Sequence, residues 1–179
     1  YDATHRQVQQ SLALLGQDLE EGAPVVVVAA SMGTEIMNDY ILDRQRRTRE
    51  GTPDPLGQSP VERLDTLTGL FTFGSNLAIF AASLPIDEMR PIEFPPSALA
   101  DKYRPVAVWE NYYDRHDSMG FPVKPLNLQF QNLHSLRDIH INTGGPLLSW
   151  NLFSHFGYWR SRKLVKRIAG YMAGLLALP

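Results

Sequence analysis

The sequence predicts a single α/β domain over residues 1–179, with a mainly parallel sheet flanked by helices. Three observations carry that expectation. Residues Val25 to Ala30 are an uninterrupted apolar run, Val-Val-Val-Val-Ala-Ala, without the polar alternation of a half-solvated strand, and so read as a strand covered on both faces. Helical periodicity brackets that run. Further strand-like segments then recur at Leu67–Phe73, Val106–Tyr112 and Arg137–Asn142, far enough apart for crossover connections.

The elements follow in order. Val8, Leu12, Leu15 and Leu19 recur at steps of four, three and four, which predicts an amphipathic helix over residues 4–20, ended by Glu-Gly-Ala-Pro at 21–24. After the valine run, Ile36, Met37, Tyr40 and Ile41 restore the helical period from Met32 into the Arg44 to Arg49 charge cluster. Gly51, Pro53, Pro55, Gly57 and Pro60 mark residues 50–61 as a loop. The second strand closes at Gly74-Ser75, a proline-rich link fills 85–105, and the third strand opens into Tyr113-Asp-Arg-His-Asp-Ser-Met-Gly. The fourth ends ahead of Thr-Gly-Gly-Pro. Leu164, Val165, Ile168, Met172, Leu175 and Leu176 define a last amphipathic helix beginning near Gly157.

Composition narrows the function classes. With 44% hydrophobic and 20% charged residues the chain matches globular domains, and its net charge of −2 supplies no broad positive field for nucleic acid or an anionic membrane. Small neutral substrates remain open. The absence of Cys removes disulfides, thiolate metal sites and a cysteine nucleophile, while leaving the compartment open. No apolar stretch approaches the roughly 20 residues of a membrane helix, so no stable membrane insertion is expected. There is no P-loop, no dinucleotide glycine fingerprint, no H-E-x-x-H and no histidine pair at ligand spacing on one helix, so neither cofactor nor metal is expected.

Chemistry concentrates at Ser31. A serine hydroxyl is a weak nucleophile at its own pKa and needs a neighbouring base. A strand, a small residue, Ser, any residue, Gly and then a helix lift Oγ clear of the backbone, and Ala29 and Gly33 let strand and helix approach closely. The Met32 amide then sits at a helix N-terminus, aimed at negative charge developing on a bound carbonyl oxygen. The alternative use of Ser31 is as a plain N-cap.

Beyond the Ala29-Ala-Ser-Met-Gly turn, the segments Thr72-Phe-Gly-Ser-Asn76, Trp109-Glu-Asn-Tyr-Tyr-Asp-Arg-His-Asp117 and Ser149-Trp-Asn-Leu-Phe-Ser-His155-Phe-Gly-Tyr-Trp resemble those of the α/β-hydrolase superfamily over most of the chain. That family runs nucleophile, acid and base in this chain order. The resemblance implies a serine hydrolase that cleaves a small-molecule carboxylic ester or thioester through an acyl-enzyme. Ser31 would be the nucleophile, His155 the base, Asp117 the acid, Met32 N–H an oxyanion donor, and Asn76 a substrate-binding residue. Asp114 competes with Asp117, which is favoured because Ser-Met-Gly-Phe-Pro follows it. Ala29 and Ala30 depart from the family's glycine and its frequent histidine.

The other histidines read differently. His5, His116 and His134 are expected at the surface or in structural roles, and His140 alternates with Ile139 and Ile141 on a strand face. The arginine runs at 44–49 and 160–167 are phosphate-binding candidates that read better as solvated helix faces, and Trp150, Phe153, Phe156, Tyr158 and Trp159 either line an acyl pocket or, the favoured reading, pack the last helix. The family also carries strands ahead of the serine strand and takes a second oxyanion donor from a loop there, whereas residues 1–24 read as a helix. The domain is therefore expected to be incomplete at its N-terminus, with a preceding segment or a second chain pairing the apolar edge of Val25–Ala30. Non-catalytic binding on the same scaffold, and acyl transfer to an acceptor other than water, are the competing functions.

Overall fold

The computed structural model describes residues 2–20, 22–52, 59–82, 89–143 and 153–178. Within them the chain builds a four-stranded, all-parallel sheet flanked by helices, the α/β class that the sequence predicts. The elements are α1 (Asp2–Gln17), β1 (Val25–Ala30), α2 (Met32–Glu50), β2 (Leu67–Phe73), α3 (Leu77–Ala81), β3 (Val108–Tyr113), α4 (Leu128–Gln131), β4 (Leu136–His140), α5 (Phe153–Phe156) and α6 (Arg162–Leu176). The expected loop at 53–58, the start of the proline-rich link at 85–88 and the Gly-Gly-Pro and Ser149–Leu152 segments lie outside the described residues. No helix among the described residues is long and apolar enough to cross a membrane.

Strands β1 and β2 match the sequence reading. Strand β3 begins later than expected because Arg104–Val106, with Pro105 inside it, forms a 3-10 turn first. Helix α6 likewise starts at Arg162, since Gly157–Arg160 is a separate 3-10 turn and Ser161 caps α6 by accepting the Leu164 N–H. Helices α3 and α4 have five and four residues, too short to show an apolar period.

Sheet order equals chain order, β1-β2-β3-β4. Alternation along the strands sorts the core into two clusters. In one, Leu12 of α1 and Tyr40 and Ile41 of α2 pack with Val25, Leu70, Trp109 and Phe130; in the other, Phe71, Phe73, Val108 and Tyr112 meet Leu164, Tyr171 and Leu175 of α6. Gly69 sets the distance between β2 and α6. A Cβ there would lie 2.6 Å from the Tyr171 ring, whose hydroxyl donates to the carbonyls of Thr68 (2.8 Å) and Val106 (3.0 Å).

Two sequence readings need correction. The valine run is not covered throughout: Val25 and Ala29 are buried, but Val28 is 41% exposed. The reason is position, since β1 is at the end of the sheet and pairs with β2 alone among the described residues. Nor are the arginines all solvated. Arg44 is buried with its guanidinium 4.9 Å from the centre of the Tyr40 ring, and Arg46 and Arg47 both bind Asp43 at 2.7 Å. Arg167 of α6 joins Arg137 and the Tyr112 hydroxyl on Glu110, a carboxylate only 2% exposed. Burial opposes that charge, but the hydrogen bonds from Arg167 and Tyr112 outweigh it and hold the carboxyl below its ordinary range.

Helix α2 carries the opposite case. Glu35 is pushed up to about 7, by burial first and by Asp39 second, and its Oε2 is buried without a hydrogen-bond partner. The folded chain therefore holds this proton more tightly than the unfolded chain does. Stability falls as pH rises from about 4.5 to about 7, and the full loss is present above that window. Glu35→Gln is expected to raise stability by about 1 kcal/mol at pH 8, a value discounted for partial solvent screening, and to change little at pH 4.5. Urea unfolding at the two pH values checks this. Gly69→Ala is expected to cost about 1–3 kcal/mol in the same assay, because the added methyl must displace Tyr171.

Candidate active site

Ser31 joins β1 to α2 in a backbone conformation that serine rarely adopts, with φ 52° and ψ −128°. Such a conformation costs roughly 1–3 kcal/mol and persists only where its surroundings impose it. Here the Ser31 N–H continues the sheet ladder to the Phe73 carbonyl at 3.0 Å, while its own carbonyl accepts the Thr34 N–H (2.9 Å) and hydroxyl (2.7 Å) of α2. The turn is thus pinned at both ends. The Ser31 hydroxyl does not cap α2, which removes the N-cap reading. It points to His155 instead.

Ser31 Oγ lies 2.7 Å from His155 Nε2, and His155 Nδ1 lies 2.8 Å from Asp117 Oδ2 and 3.0 Å from Oδ1. An ionised carboxylate only accepts, so Nδ1 carries the proton toward Asp117; in the neutral imidazole Nε2 is then free to accept from Ser31 Oγ–H. Both His155 and Asp117 are buried. The structure therefore brings together three residues that the sequence separates by up to 124 positions. Met32 occupies the first position of α2, where its amide has no acceptor within the helix, and its side chain is exposed.

Asp114 has a different place. Its Oδ2 accepts the Thr143 N–H (2.6 Å) and hydroxyl (2.8 Å), and its Oδ1 accepts the His116 N–H (3.0 Å) and faces His116 Nδ1 at 3.2 Å. Burial raises the carboxyl, but the Thr143 and His116 hydrogen bonds prevail and hold it below its ordinary value. The competition between the two aspartates resolves in geometry: Asp117 faces His155, and Asp114 ties the loop together. The Thr143 hydroxyl also reaches the Ser154 carbonyl at 2.7 Å, linking this carboxylate to α5, which carries His155.

Two glycines make room for the acid and base. Gly74 ends β2 at φ 56°, and a Cβ there would lie 3.0 Å from His155 Cε1 and 3.1 Å from the Tyr158 ring. A Cβ on Gly120 would fall on Asp117 Oδ2 and 2.8 Å from Gly74 Cα. The β2 turn and the acid loop thus touch backbone to backbone. The sequence marks Gly74 only as the close of a strand and Tyr158 only among the aromatic residues near the last helix, whereas the Tyr158 hydroxyl lies 3.0 Å from Asp117 Oδ2. The Gly74 signal was legible as strand closure, but its contact with a residue 81 positions later was not.

Asn76 is 3% exposed at the start of α3, and its Oδ1 is buried without a hydrogen-bond partner among the described residues. Phe156 and Trp159 do not pack away under α6 but are 66% and 64% exposed, whereas Tyr158 is in the core. Trp159 stands edge-on to Phe73 at 4.9 Å, next to the strand end that receives the Ser31 amide. Phe156 stands edge-on to the His155 ring at 5.8 Å, and Met32, the residue after Ser31, is 51% exposed. Trp150 lies outside the described residues. His116 serves Asp114, His140 stands beside the Tyr113 ring at 5.6 Å, and His5 packs against Tyr40.

Gly120→Ala is expected to push the Asp117 carboxylate away from His155, lowering stability by about 1–3 kcal/mol and shifting the His155 ring resonances in NMR spectra while distant resonances stay in place. No family model matches the chain, and neither does any curated protein or solved structure.

Proposed function

We propose that the chain is a serine hydrolase of carboxylic esters or thioesters, working on a scaffold of the α/β-hydrolase kind. The observation that carries this reading is the continuous line from Ser31 Oγ through His155 to Asp117, with heavy-atom spacings of 2.7 and 2.8 Å. These are the distances over which a general base takes a proton from a nucleophile. The strained backbone at Ser31 supports it, since strain of this kind concentrates at reactive positions.

In this reading Ser31 Oγ attacks the substrate carbonyl carbon as its proton passes to His155 Nε2. Asp117 holds Nδ1–H and stabilises the imidazolium that results. The Met32 N–H, at the positive end of α2, faces the developing oxyanion. Collapse of the tetrahedral intermediate breaks the bond to the leaving oxygen or sulfur, which departs with the proton from His155. Water, deprotonated by the same imidazole, then cleaves the acyl-enzyme and restores Ser31. The exposed side chains of Met32, next to Ser31, and Phe156, against the His155 ring, would suit an ester with an apolar acyl group. A segment pairing with the outer edge of β1, from further chain or a second molecule, is the proposed source of the second oxyanion donor.

A fluorophosphonate probe tests the assignment directly. Ser31→Ala should abolish labelling, and undiminished labelling would refute the reading. Asp117→Asn should lower turnover by about 10⁴-fold. Asp114→Asn should instead act on stability, by about 1–3 kcal/mol, because an amide NH₂ cannot accept from Thr143 or His116. Thermal unfolding and initial-rate measurements on the two variants separate these outcomes.

A further inference from the structure

The inference concerns Tyr158 and rests on the hydrolase reading for its kinetic part alone. The Tyr158 hydroxyl accepts the Asp114 N–H at 2.8 Å and lies 3.0 Å from Asp117 Oδ2. An amide only donates, so the phenol oxygen spends its accepting capacity on Asp114 and its single proton goes to Asp117. The side chain is 1% exposed, with its ring 5.7 Å from Phe73 and edge-on to His155 at 6.4 Å. Burial first, and the Asp117 charge second, raise the phenol above its ordinary range, so it keeps its proton and remains a donor.

We propose that Tyr158 is the positioning residue of the site, fixing the Asp117 carboxylate toward His155 and tuning the charge that the imidazole feels. The carboxylate has three partners. The Met119 N–H holds Oδ1 at 2.9 Å, the Tyr158 hydroxyl holds Oδ2, and His155 Nδ1 sits between the two oxygens. The two outer donors set the plane of the carboxylate. Without the phenol, it is free to turn about its remaining anchor and concentrates more charge toward the imidazole.

Two variants test this with opposite signs. Tyr158→Phe removes the donor at nearly constant volume, and kcat for a p-nitrophenyl ester should fall about tenfold with KM within about twofold, the effect of one hydrogen bond to a charged group. The acid limb of its kcat/KM profile should move to higher pH, because the denser carboxylate charge favours the imidazolium. Incorporation of 3-fluorotyrosine at position 158 keeps the hydroxyl and makes it a stronger donor, so that limb should move to lower pH. The downfield His155 Nδ1–H proton resonance should shift in opposite directions in the two proteins. Unchanged pH limbs and an unmoved resonance would overturn the proposal, even where stability drops. If wild-type protein hydrolyses no ester and reacts with no fluorophosphonate, the hydrolase reading fails while the resonance still decides the role of Tyr158. Should Tyr158→Phe not fold, the fluorinated protein decides alone.

Discussion

A buried carboxylate, answered among the described residues by backbone and hydroxyl donors rather than by lysine or arginine, organises the end of the sheet where Ser31, His155 and Asp117 meet. Asp114 accepts three hydrogen bonds from backbone and hydroxyl donors, and so gathers the end of β3, the turn at His116 and the segment at Thr143 around one point. Thr143 passes that constraint on to Ser154, the residue before His155. Loss of any one donor would leave part of a buried negative charge unanswered, a cost well above that of a typical hydrogen bond. The loop that carries Asp117 and the helix that carries His155 are thus held by the same group.

A second polar line runs across the strands and fixes the far side of the acid loop. Thr72 of β2 donates to Asn111 of β3, and Asn111 donates to Asp138 of β4 and to the Phe121 carbonyl. Asp138 in turn accepts the amides of Val123 and Lys124. Buried polar groups of this kind are tolerated because each finds a partner, and together they set the register in which β2, β3 and β4 end. The loop from Asp114 to Lys124 is therefore anchored at both ends, and the Gly74–Gly120 contact closes its middle onto β2.

What the sequence disclosed followed from periodicity and local order. The four-valine run, the heptad-like spacing of α1 and the strand at Leu67–Phe73 are local signals, and the structure contains those elements at nearly those bounds. Ser31 was legible because a turn between strand and helix is itself local. His155 and Asp117 came from chain order and from a resemblance, which left Asp114 in competition and favoured Asp117 only through the Ser-Met-Gly-Phe-Pro that follows it. Only packing distinguishes the two, since Thr143 and Tyr158 choose their partners across tens of residues. The edge position of β1 was legible, because residues 1–24 read as a helix, but an apolar run reads the same whether one face is covered or both, so the exposure of Val28 had no sequence signature. Short helices such as α4, begun by the Asn127 side chain accepting from Gln129 and Phe130, carry too few residues for any pattern.

The backbone at Ser31 has a consequence for how this chain can change over time. A glycine at that position would adopt φ 52° at little cost and would relax the turn. It would also delete the hydroxyl that meets His155. The substitution most favourable to the resting fold is therefore the one that empties the site, and selection for robustness alone would drive this position away from serine.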